Sequence, residues 1–181
     1  MESKVKILGH PVHPILIVFP LGLLIMALIF DVIYFATDNA AFATAAYWDI
    51  AAGIIGGLLA AVFGLIDWLN IPSGTRAKAV GMWHGIGNVV VVALFALSWW
   101  LRYGDPAHAP STTAFILALI GIGIGAVTGW LGGELVDRLG VGVDEGAHLN
   151  APSSLSGMPA DSNLRRAERS VEPLREREVG R

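Results

Sequence analysis

The sequence contains no cysteine. That absence removes disulfides, cysteine-held iron–sulfur clusters, thiolate zinc sites and a cysteine nucleophile together. Any metal or cofactor iron must then be held by histidine and carboxylate. Charge is scarce as well: Asp, Glu, Lys and Arg make up 15% of the 181 residues, against about 25% in an ordinary soluble domain. With a positive mean hydropathy, this places the chain among membrane proteins. No basic stripe is present, so nucleic acid is not an expected partner. The formal net charge of −3 says little about partners, because charge concentrates in the tail beyond Asp144. A cleavable leader is not expected either. The first apolar stretch is interrupted by His10, Pro11, His13 and Pro14 and runs on too long for a signal-peptide core.

Four apolar segments of spanning length occur, at about 14–36, 49–69, 83–101 and 113–135. Each must be a helix, since a lone strand in lipid would leave its backbone groups unpaired. Pro11 and Pro14 suit a first helical turn, and Pro72 ends the second span. Gly104, Asp105 and Pro106 mark a turn after the third, and Gly140 and Gly142 break the chain after the fourth. Short connections make sequential helices antiparallel neighbours. The expected fold is all-α, an up-down-up-down four-helix membrane bundle over 1–143 built from two hairpins. Residues 144–181 are expected to be a polar, mostly disordered tail, with at most a short charged helix near 164–177.

The tryptophans and tyrosines fall at the ends of the proposed spans, as the headgroup zone prefers. Lys4, Lys6, Arg76, Lys78 and Arg138 fall on the side of both termini, and Arg102 alone on the other. Both termini are therefore expected in the cytoplasm of a bacterium, with the spans in its inner membrane.

Two stripes of small residues recur at helical spacing: Gly53, Gly57, Ala60 and Gly64, ending on Asp67, and Gly121, Gly125, Thr128 and Gly132. Small residues let helix backbones approach when lipid removes the usual hydrophobic driving force, so packing accounts for both.

The isolated polar residues converge at one end. His10 and His13 open the first span, Asp67 closes the second, His84 opens the third with Asn88 one turn below, and Glu134 closes the fourth. His13 and Asp67 are 54 positions apart, His84 and Glu134 50. Each hairpin thus begins on an imidazole and ends on a carboxylate, which suggests a pseudo-two-fold repeat with His–carboxylate pairs. Protonated imidazole at a helix start and carboxylate at a helix end both oppose the helix dipole, so the expected imidazoles are neutral, the ligating form.

Three chemistries suit this ring: haem b between His13 and His84, with His10 and Asn88 nearby; a zinc, iron or manganese ion on His13, His84, Asp67 and Glu134; or a pathway for protons or a small solute. A fourth reading is an accessory subunit in which the ring only clamps the helices. Asp31 and Arg102 are expected to form a structural ion pair at the opposite end. His108 and His148 carry no expected role. No nucleophile and base occur at usable spacing, and Ser73 and Thr75 have no activating partner, so a hydrolytic enzyme is not expected.

The runs His10-Pro11-Val12-His13-Pro14, Phe19-Pro20-Leu21-Gly22, Gly64-Leu65-Ile66-Asp67-Trp68 and Gly129-Trp130-Leu131-Gly132-Gly133-Glu134-Leu135 together resemble the family called domain of unknown function 2231. The resemblance extends over about 9–143. It implies a four-span bacterial membrane protein and little about activity. Some members are joined to a Rieske iron–sulfur domain, which implies electron transfer. Here cysteine is absent and the tail is short, so a redox partner would be a separate protein. Contacts beyond the lipid bilayer, including a homo-oligomer, are left open.

The orientation carries a direct test. A phosphatase reporter fused within 37–48 should be active in the periplasm and one fused at the C-terminus inactive; the reverse pattern would overturn it.

Overall fold

A computed structural model describes residues 1–166. A short antiparallel hairpin comes first, β1 (Lys6–Ile7) against β2 (His10–Pro11). Its turn residues Leu8 and Gly9 both have positive φ, 51° and 81°, the geometry of a two-residue hairpin turn. Five α-helices follow: α1 (Val12–Leu16), α2 (Val18–Thr37), α3 (Ala40–Asn70), α4 (Arg76–Trp100) and α5 (Thr112–Gly133). A π-helical turn over Glu134–Arg138 extends α5. Joined in this way they form four helical segments long and apolar enough to cross a membrane: Val12–Thr37, Ala40–Asn70, Arg76–Trp100 and Thr112–Arg138.

The break between α1 and α2 follows from Pro20. Without an N–H it cannot donate to the Leu16 carbonyl, and the ladder is interrupted there. Ile17 N–H still reaches His13 O at 3.1 Å, and Leu21 N–H reaches Ile17 O at 3.1 Å, so the chain continues as two helical pieces in series.

The remaining helices begin on side-chain caps. Asn39, Thr75 and Ser111 accept from the amides of Ala41, Lys78 and Ala114. These caps place two helix starts well outside the expected spans, at Ala40 rather than 49 and at Arg76 rather than 83. Hydropathy marks only the part of a helix in lipid. At 1.5 Å per residue the 31 residues of α3 extend about 46 Å, beyond a hydrocarbon layer of about 30 Å. Only Asp38 and Asn39 separate α2 from α3, and Asp38 closes α2 in the left-handed conformation. Connections this short join antiparallel neighbours.

Helix α2 packs along α3, α4 along α5, and α3 against α4. The shared core is small: Leu24 and Ala27, Ala46 and Ile50, Val91 and Phe95, and Ala118. Large apolar residues such as Val18, Leu65, Val89 and Val127 point outward, the inside-out distribution of a bundle in lipid. The small-residue stripes lie in the helix contacts. A Cβ on Gly53 would stand 2.6 Å from Leu24 Cδ2, and one on Gly121 would stand 2.8 Å from Phe95 Cε2.

Two polar fastenings hold the ends. At one end Arg102 and Asp31, both 0% exposed, form a two-pronged pair at 2.5 and 2.7 Å. Arg102 also donates to Ser98 Oγ (3.1 Å), and Ser98 donates to Ala114 O of α5 (2.7 Å), so α2, α4 and α5 are tied by one network. At the other end the N-terminal segment lies against the chain after α5. Gly142 N–H donates to Met1 O, and Lys6 bridges Asp144 and Glu2. The hydrogen bond to Asp144 is the main cause of a raised Lys6 pKa, and Lys6 in turn lowers that of Glu2. Part of the tail expected to be disordered therefore folds back in turns: Gly146 meets Asp161, and Asn163 donates to Asn150 O. The expected charged helix at 164–177 lies for the most part outside the described residues.

Cutting one arm of the buried pair should be severe. Arg102→Leu strands Asp31 in an apolar setting at a cost of roughly 3–5 kcal/mol, read as a large fall in Tm of detergent-solubilised protein. The double variant Asp31→Leu/Arg102→Leu should recover most of it. A single variant as stable as the parent would refute a structural role for the pair.

Candidate functional site

His13 lies in α1, and its imidazole rests on α3. The ring sits over Gly64, where a Cβ would stand 2.8 Å from Cε1 and 2.9 Å from Nδ1, so only glycine leaves the space it occupies. Nδ1 lies 2.8 Å from Ala60 O, one turn before Gly64 in α3. A carbonyl can only accept, so Nδ1 carries the proton and donates. In the neutral ring Nε2 then keeps its lone pair.

His84 repeats the arrangement in the second hairpin. Its Nδ1 lies 2.8 Å from Thr128 O on α5, and Gly132, four residues on, backs the ring, with a Cβ there only 3.1 Å from Cε1. The same logic fixes the same tautomer. Each hairpin thus contains an imidazole, a carbonyl acceptor and a glycine one turn beyond the acceptor. The two rings face each other edge to face, with centroids 6.4 Å apart and planes at 83°. The two-fold repeat therefore exists in the structure on different partners from those expected.

The carboxylates are engaged elsewhere. Asp67 accepts from Ser3 Oγ at 2.9 and 2.8 Å and from the Lys4 amide at 2.9 Å, which ties the N-terminal segment to the end of α3. Glu134 binds Arg76 at 2.5 Å. The reason is geometric. Ala60 and Thr128 lie seven and six residues before Asp67 and Glu134, about 10 Å deeper along their helices. Glu134 is also two residues past Gly132, about 200° round the helix from the face that meets His84. His10 is in β2 rather than at a helix start; it is exposed, and its Nδ1 lies 3.1 Å from Leu8 O in its own hairpin. Among the described residues, no three His, Asp or Glu side chains converge to hold a metal ion. The expected four-ligand set of His13, His84, Asp67 and Glu134 is thus not assembled; the two imidazoles are.

Asn88 does join the site. It lies one turn along α4 from His84, with Nδ2 at 3.2 Å from His84 Nε2 and 2.9 Å from His84 O. The Thr128 hydroxyl donates to Asn88 Oδ1 at 3.0 Å. Thr128 was singled out in the sequence only as a small residue in a packing stripe. Its position between two glycines on one face was the signal available, and it did not distinguish a packing role from a polar one.

At the opposite end His108, given no role from sequence, stacks on Tyr47 with centroids 3.8 Å apart, and Tyr47 stacks on Trp99. His108 Nδ1 lies 3.3 Å from Arg102 O, so the group belongs to the fastening at that end.

The family described as predicted membrane protein (DUF2231) matches residues 9–145. No curated protein and no solved structure matches the chain.

The tautomers can be checked without any ligand. In ¹⁵N-histidine spectra recorded at mildly alkaline pH, His13 and His84 should both be protonated at Nδ1 and bare at Nε2. Gly64→Val should displace the His13 signal and leave that of His84. Nε2-protonated rings would contradict the carbonyl bonds.

Proposed function

The chain belongs to the DUF2231 family and is a multi-pass membrane protein; from that premise we propose that it binds haem b through Nε2 of His13 and His84 and passes electrons through it. The supporting observation is the pair of imidazoles 6.4 Å apart, each held by a backbone carbonyl in the tautomer whose Nε2 ligates metals. Imidazole nitrogen binds transition metals at about 2.0–2.1 Å, and Nε2 of His13 and Nε2 of His84 would hold the iron.

Donor count favours haem over a bare ion. Zinc in a protein ordinarily takes three or four side chains, and among the described residues no three His, Asp or Glu side chains converge. Haem iron already has four porphyrin nitrogens and needs only two axial ligands. When bound, haem supplies a one-electron couple. The protein's part is to fix both imidazoles and to keep the iron among apolar helices. The basic residues around the ends holding both termini support a cytoplasmic placement of this site in a bacterial inner membrane, where a separate redox protein would deliver or collect the electron.

Protein purified from haem-replete cells should be red, with a Soret band and about one haem per chain. His13→Ala and His84→Ala should each lose the bis-imidazole spectrum. Colourless protein without iron would leave the imidazoles as a helix clamp, and stoichiometric zinc or manganese without haem would replace haem by an ion.

A further inference from the structure

The two imidazoles are alike at Nδ1 and unlike at Nε2. Around His84 the hydrogen bonds form a closed ring. Nδ1–H donates to Thr128 O, the Thr128 hydroxyl donates to Asn88 Oδ1, and Asn88 Nδ2 donates back to His84 Nε2. The acceptors fix the directions at both imidazole nitrogens, and the single Thr128 proton is shared between Asn88 Oδ1 and Gly125 O, 3.1 Å away. The carbonyl must accept, so Nε2 must accept too, so the asparagine must present its amide nitrogen there and its oxygen to the hydroxyl.

The first hairpin has no such ring. Ala60 stands where Thr128 stands and has no hydroxyl, and the residue four after His13 is Ile17. Among the described residues, the hydrogen bond of the His13 ring is the one from Nδ1 to Ala60 O. One imidazole therefore offers a free lone pair, while the other has its lone pair taken by the protein.

A metal and an N–H donor cannot share one lone pair. We propose that Asn88 is an internal competitor for Nε2 of His84, so that Nε2 of His13 would be open to a haem iron from the start and Nε2 of His84 only after Asn88 withdraws. This rests on the haem reading of the site. Withdrawal is inexpensive, because Asn88 Nδ2 also has His84 O at 2.9 Å and Oδ1 keeps the Thr128 hydroxyl. The amide gives up one neutral hydrogen bond and retains its others, which limits the barrier to about one such bond. Asn88 is thus a positioning residue that sets the order and rate of ligation.

The experiment uses the full chain in detergent, stripped of haem and mixed rapidly with ferric iron protoporphyrin IX. In the parent protein a five-coordinate high-spin spectrum should appear first and convert to a six-coordinate low-spin one. In Asn88→Leu, of similar volume and without a donor, the conversion should be about tenfold faster, the equivalent of one hydrogen bond. His84→Ala should stop at the five-coordinate stage. Thr128→Val keeps the shape, frees Asn88 Oδ1 and should accelerate conversion by a smaller factor. It carries the test if Asn88→Leu does not fold. Conversion no faster in either variant, with His84→Ala still arrested, would overturn the competitor while leaving the haem site standing. Failure of the parent and every variant to take up haem would overturn the haem site and the competitor with it.

Discussion

Water is missing from the hydrocarbon layer as a hydrogen-bonding partner, and the polar interior of this bundle is arranged around that lack. In a soluble bundle Asp31, Arg102, Ser98, His13 and His84 could each turn outward. Here each is satisfied by another helix: a carboxylate by a guanidinium, a hydroxyl and two imidazoles by backbone carbonyls. Among the described residues, Trp99 Nε1 and, just past the end of α4, Arg102 Nε are buried donors that stand outside this scheme. Since helix faces in lipid are held by close packing and such bonds, the polar contacts also determine which helices are neighbours.

The bundle repeats one solution in its two hairpins. A histidine near the start of the leading helix crosses to a carbonyl of the trailing helix, and a glycine one turn on makes the crossing short enough for a bond. Cradle and acceptor depend on each other. A Cβ at Gly64 would occupy space the His13 ring needs and one at Gly132 would push the His84 ring back by a few tenths of an ångström, and without the carbonyl a neutral imidazole would gain little by lying there. What distinguishes the halves is the residue supplying the carbonyl. Alanine leaves the first imidazole alone, while threonine recruits Asn88 to the second.

Much of this could be read from residue order. Four apolar runs, the aromatic ends and the glycine stripes are repetitive signals, and the isolated charges Asp31 and Arg102 could hardly persist apart in lipid. The association of His13 with His84 was also legible, because both open odd-numbered spans. Their hydrogen-bond partners were not. A backbone carbonyl has no letter of its own, so Ala60 and Thr128 looked like packing residues, and the conspicuous carboxylates were assigned in their place. Asp67 was claimed by Ser3 and Lys4, residues of an N-terminal segment too short and polar to announce a structure. Helix starts were misjudged for a related reason. Hydropathy measures lipid contact, whereas Asn39 and Thr75 begin their helices outside it.

The interruption at Pro20 has a mechanical side. His84 belongs to a continuous 25-residue helix and moves only if that helix moves. His13 belongs to a five-residue piece joined to α2 through Ile17 alone, and the missing bond at Leu16 leaves that joint softer than the helix on either side. What holds His13 in place is therefore its bond to Ala60 O and the packing of α1 on α3 rather than continuity with α2. One imidazole thus takes its position from its own helix, the other from the helix on which it rests.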